Sequence, residues 1–142
     1  MEGLGGRFKN QVYYVSMAKY MDNYNICHLE MLNVLVSLKI WGKVFKNKKI
    51  TVKCDNMSAV LVLTNGKTGD KVLAAIARNI QMQAAMDNIT LKVMHVQGKQ
   101  NTAADILSRW GLQPDVKKLE EVIHNPQWIV VPPSYTNINW SI

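Results

Sequence analysis

The sequence is short of acids, of cysteines and of long apolar runs, and each shortage excludes something. Ten Asp and Glu stand against seventeen Lys and Arg, so the formal charge is +7 over 142 residues. Lys39, Lys43, Lys46, Lys48, Lys49 and Lys53 crowd into one stretch, a cluster of the kind that attracts phosphate backbones. A solvated helix end and loop would hold such a run equally well. The two cysteines, Cys27 and Cys54, stand in no C-x-x-C or Cys/His spacing; a disulfide and a zinc site are therefore not expected, and both read as small core residues. No apolar run approaches bilayer-spanning length, and Met1 to Arg7 has none of the pattern of a secretory signal. The expectation is a protein of the cell interior, cytoplasmic or nuclear, without a membrane partner. Gly66-Lys67-Thr68 lacks the spaced glycine of a P-loop, which excludes that NTPase reading.

What is present suits a folded domain. The length falls in the single-domain range, and 48% hydrophobic residues can fill a core. Residues 6–17 read as a hairpin turning at Asn10. Leu29, Leu32, Leu35, Val36, Leu38 and Ile40 recur at helical spacing, predicting a helix over 28–44. Ile50 to Cys54 reads as a strand, 57–63 as a helix that Asp55 could cap, 71–86 as a second long helix, and 89–96 as a strand in which His95 packs. A Gly-containing turn then leads into a last helix, for which Asn101 is a candidate cap. Beyond Trp110, Gly111 and Pro114 break the pattern, so 111–142 reads as a linker and tail with one strand-like island at Trp128-Ile129-Val130-Val131. The order β-β-α-β-α-α-β-α predicts an α/β fold, a mixed sheet with helices on both faces.

Three acids stand out because each lies at an element boundary beside an apolar segment. Glu30 opens the first long helix, Asp55 ends a strand, and Asp105 falls in the first turn of the last helix. Interaction with a helix dipole or capping explains each one locally. Convergence at a metal site explains all three together, and they are expected to approach closely enough to share an ion.

The segments around these acids, His28-Leu29-Glu30-Met31-Leu32, Val52-Lys53-Cys54-Asp55-Asn56 and His95-Val96-Gln97-Gly98 through Asn101-Thr102-Ala103-Ala104-Asp105-Ile106-Leu107-Ser108-Arg109, together resemble the RNase H domain of retroelement reverse transcriptases, gypsy-like and DIRS-like ones in particular. The resemblance spans about residues 3–110, so 1–110 is expected to form the RNase H-like domain. It implies hydrolysis of the RNA strand of an RNA–DNA hybrid with Mg²⁺, or Mn²⁺ in its place. Glu30, Asp55 and Asp105 would be three of four metal-binding carboxylates, and Asn56, Lys99, Asn101, Ser108 and Arg109 would contact nucleic acid. Two carboxylate-held ions suit that chemistry because they stabilise both the attacking and the leaving oxygen.

The chain departs from the family in two places. The family's first carboxylate, an aspartate on the central strand ahead of a pattern like Gly3-Leu4-Gly5-Gly6, has no counterpart here. Lys99 stands where many relatives carry a histidine. The resemblance therefore implies weakened catalysis, and the alternative is a non-catalytic nucleic-acid-binding or scaffold module that keeps the fold. A further alternative is a fragment with no function of its own. The rest of a reverse transcriptase, or a strand supplied by another segment, would be the natural partner. Because paired strands lie about 4.8 Å apart, the gap left by the central strand is expected to close, by direct pairing of the hairpin with Ile50 to Cys54 or by insertion of another segment, for which Trp128 to Val131 is the candidate; the alternative for that island is to pack on the outside of the fold or stay loose.

Overall fold

The computed structural model describes residues 3–97 and 102–142, so Lys99 and Asn101 lie outside the described residues. Among the described residues the architecture is mixed α/β, with five α-helices and two small sheets. No described helix is long and apolar enough to cross a membrane.

Strands β1 (Gly3–Phe8) and β2 (Gln11–Ser16) form the expected antiparallel hairpin, closed at Phe8↔Gln11 by a two-residue turn in which Lys9 has φ 56°. Helix α1 (Ile26–Trp41) follows a 3₁₀ turn at Lys19–Asn23. Ten of its sixteen residues are buried, which makes it the central element of the core rather than a half-exposed amphipathic helix. Its start is set by a reciprocal cap. Asn25 accepts from the His28 backbone N–H at 2.9 Å, and the Asn25 N–H donates to His28 Nδ1 at 3.1 Å.

That second bond makes Nδ1 an acceptor, so Nε2 carries the ring proton and donates to Asp70 at 2.8 Å. Asp70 also caps helix α3 (Lys71–Met86), accepting from Val72 and Leu73 N–H. One carboxylate thus starts α3 and ties it to the start of α1. The His28 bond, followed by the Leu73 bond, holds the Asp70 carboxyl below its ordinary range. Its contribution to stability is present above the unfolded carboxylate pKa and disappears as pH falls through the depressed folded value. Asp70→Ala is expected to cost about 2 kcal/mol at pH 7 in urea unfolding, whereas Asp70→Asn, which keeps the capping oxygen, is expected to lose less. Equal losses would show that the cap contributes nothing.

Strand β3 (Lys49–Cys54) runs parallel to β4 (Thr90–His95). Between them, α2 (Met57–Asn65) is capped by Asn56, not by Asp55, through a 2.9 Å bond from Ala59 N–H. It stops at Gly66, whose φ of 70° suits a residue without Cβ. Helix α4 (Thr102–Ser108) packs on the hairpin. An added Cβ at Gly5 would stand 2.5 Å from the Cβ of Leu107, so glycine is what allows this approach.

Two expectations are corrected, the linker beyond Trp110 and the closing of the sheet. The stretch beyond Trp110 is not simply a linker: α5 (Val116–Val122) and the residue after it bury Leu119 and Ile123 in a second core with Val12, Ile106 and Leu107. The final residues pack back as well. Lys39 Nζ donates to Tyr135 O and Asn137 O, and Asn79 exchanges two hydrogen bonds with the Asn139 backbone. Lys39 is therefore engaged within the chain and leaves the basic cluster. Finally, the sheet does not close. β1 and β3 are not paired, and the C-terminal island reaches the outer edge of β2 instead, where β5 (Gln127–Trp128) pairs in parallel with Gln11 and Val12. The two-residue β5 secures the island there, with Trp128 against Trp110 at 4.9 Å and Val130 fully in solvent at 91% exposure.

Candidate metal and nucleic-acid site

The unclosed sheet leaves a cleft of about 1240 Å³. The facing edges of β1 and β3 form its walls; α1 lines it through Glu30, Asn33, Val34 and Trp41, and α4 through Ala103, Asp105 and Ser108. The acids gather at the end of the cleft where β3 finishes. Glu30, Cys54 and Asp55 bring one ligand atom each to within 4.8 Å of one another. Each gets there by its element: Glu30 by projecting from the first turns of α1, Asp55 by following the last residue of β3, and Cys54 by the inward phase of that strand, which also buries its side chain.

Burial raises the Glu30 carboxyl to about 7, and the neighbouring Asp55 charge adds to the rise. Burial also pushes the Cys54 thiol up to about 12. The thiol is therefore protonated at neutral pH and lies 3.6 Å from Glu30 Oε2 as a weak donor. The donor set is two carboxyl groups and a sulfur that could hold a metal ion, whose charge would relieve the repulsion between Glu30 and Asp55.

Of the three acids read from the sequence, Glu30 and Asp55 come together. Asp105 lines the same cleft, half-exposed, but its carboxylate lies 3.4 Å from Arg109 one turn along α4 and is not in the close cluster. Cys54 is buried in the core as expected and, standing directly before Asp55, also brings its sulfur to Glu30. The other residues expected to meet nucleic acid are partly engaged. Asn56 uses its side-chain oxygen to cap α2, and Ser108 Oγ donates to Asp105 O. Lys49, Lys53, Arg7 and Arg109 line the cleft, and Lys43, Lys46 and Lys48 lie exposed beyond it. His95 ends β4, partly buried, as expected of a packed strand residue. Comparison with protein-family models, with curated proteins and with solved structures finds no match to this chain.

Proposed function

We propose that this chain is an RNase H-like domain that binds nucleic acid, with RNA–DNA hybrid as its ligand, through a divalent cation held by Glu30 and Asp55 and through the surrounding lysines and arginines. The convergence of Glu30 and Asp55 in a cleft with basic walls carries this reading. When bound, Mg²⁺ would supply positive charge to a phosphate oxygen and acidify a water. The chain's own contribution is to orient the two carboxylates, with the Cys54 thiol beside Glu30, and to set Lys49, Lys53 and Arg109 around the position a phosphate would take. Binding outweighs hydrolysis in this reading because two carboxylates, not four, form the close cluster, and Asp105 lies against Arg109.

Affinity for a labelled RNA–DNA hybrid, followed by fluorescence anisotropy, is expected to fall steeply with salt as lysine–phosphate contacts are screened. Asp55→Asn should remove the Mg²⁺-dependent part of binding and leave the salt-dependent part. Cleavage by the unaltered chain is expected to be on the order of a hundredfold or more below that of an enzyme with a complete carboxylate set. Absent or salt-insensitive binding would refute the nucleic-acid reading. Rapid Mg²⁺-dependent cleavage abolished by Asp55→Asn would refute the claim that binding dominates.

A further inference from the structure

A second pocket, of about 420 Å³, lies beside β5 and shares no lining residue with the cleft. Its volume falls in the roughly 300–1,000 Å³ range of sites that enclose a small ligand group. Three pieces of chain build it. Trp110 follows α4 and packs on the second core. Val116, Leu119 and Glu120 recur at i, i+3 and i+4 on α5, so one face of that helix turns to the pocket, and the neighbouring Lys117 and Lys118 do not line it. The chain then reverses at Asn125, whose φ of 49° is left-handed, and β5 brings Trp128 back against Trp110. The hairpin turn fixes this reversal: Asn10 Nδ2 donates to Asn125 O at 3.3 Å, and Gln127 N–H donates to Asn10 O at 2.7 Å. The pocket is therefore held in shape before any ligand arrives.

Two indoles and one carboxylate define its chemistry. Trp110 and Trp128 lie with ring centroids 4.9 Å apart and planes inclined at 45°. Trp128 remains 45% exposed and Val116 beside it 54% exposed, so the rim is an apolar surface left in water. Of the eight residues that line the pocket, Glu120 alone is charged, and among the described residues it has no ion-pair partner. An indole face and a carboxylate attract the same sign, so the pocket asks for a cation. In a chain of net charge +7 that is the reverse of what the lysine-lined cleft asks for.

We infer that this pocket binds an arginine side chain presented by a partner protein. A guanidinium is planar and weakly hydrated, so it stacks on an indole while its fork of N–H groups reaches a carboxylate. A lysine ammonium is a strongly hydrated point charge and gains less from the same surface. The two rings rest against each other as an open wedge, not as the separated walls of a box that would enclose a round methylammonium group. The guanidinium N–H groups beyond the two that meet Glu120 need further acceptors. Asn125 Nδ2 is directed to His124 Nε2 at 3.2 Å, which leaves its Oδ1 to accept, and the Gln127 amide offers a second oxygen. Arg7, Arg78 and Arg109 bond to Lys9 O, Ile142 O and Asp105, so none of these three fills the pocket. The inference stands apart from the ligand of the cleft, because the two sites have no residue in common.

The test titrates the full chain with a capped peptide, one arginine flanked by alanines, and follows the indole N–H resonances by NMR. Trp110 and Trp128 are expected to shift together, while Trp41 and Trp140 stay in place. A citrulline peptide, which keeps the shape and loses the charge, should bind about tenfold or more weaker. Glu120→Gln, an exposed change on α5, should weaken the arginine peptide by about tenfold, and Trp128→Ala should abolish its binding. Unchanged dispersion elsewhere in the spectrum shows that each variant folds; should Trp128→Ala release β5, the Glu120→Gln and citrulline comparisons still decide. Equal binding of the citrulline peptide, tighter binding of a trimethyllysine peptide, or no indole shift at millimolar arginine peptide would overturn the proposal. Shifts confined to the Glu30 and Asp55 end of the cleft would give the peptide to those acids and overturn it as well. A single-stranded oligonucleotide that moves the same two indoles at lower concentration than the peptide would make the pocket a base-stacking surface, with the same consequence.

Discussion

Glu30→Gln is expected to make the chain more stable at pH 8, by about 1–3 kcal/mol, while removing its response to divalent cations. Burial and the Asp55 charge raise the folded-state pKa of Glu30 to about 7, from 4.5 as an ordinary glutamate. Between those values the unfolded chain has released this proton and the folded chain retains it, so raising the pH favours unfolding. The stability associated with the protonated carboxyl is fully present below about pH 4.5 and lost as pH rises through about 7. Glutamine keeps the shape and an oxygen beside the Cys54 thiol, carries no charge, and removes that slope. Urea unfolding at pH 5 and pH 8 measures it. The unaltered chain should weaken between the two and regain stability with Mg²⁺ at pH 8, and the variant should do neither. A variant weaker than its parent at pH 8 would mean that Glu30 is not strained by its surroundings, and the case for a cation there would fail with it.

Leu107→Ala is expected to cost about 2–5 kcal/mol, the range for emptying a close-packed leucine site. Leu107 is fully buried, stands over Gly5, and joins the second core with Val12, Leu119 and Ile123. Its truncation loosens α4 from the hairpin and α5 from both, and with α4 goes the placement of Asp105 in the cleft. Collapse of the neighbours is limited because β1 cannot move toward α4 without leaving β2. The comparison is Leu112→Ala, a residue 68% exposed, for which a change within about 0.5 kcal/mol is expected. Denaturant midpoints for the two variants give the answer, and similar losses at both sites would show that α4 is not anchored through Leu107.

Much of the chain's local structure was legible in its residues. The hairpin follows from β-branched and aromatic residues around a short turn, and α1 and α3 follow from long runs of apolar residues at helical spacing. Asp55 follows the end of β3 as read, but α1 starts at Ile26, so Glu30 lies a turn inside the helix rather than in its first turn. Misreadings began where a local rule had two solutions. Asp55 and Asn56 are both good caps, and Asn56 took the role because it stands directly before the first helical residue, leaving Asp55 for the cleft. Residues 111–121 look polar and broken by Gly and Pro, yet two apolar residues, Leu119 and Ile123, were enough to fold a short helix onto α4.

The sequence by itself determined the elements from β1 to α4, their order and the charge of the surface, all set by interactions within a few residues. Only the tertiary structure decided which of these meet. It brought Cys54 to Glu30, left Asp105 beside Arg109, and took the C-terminal island to the outer edge of β2. It also held β1 and β3 apart across a cleft backed by α1 and lined by α4. The physical reason is that strand pairing depends on which edges packing brings side by side. Any extended segment offers the same backbone donors and acceptors, so local pattern alone does not choose its neighbour.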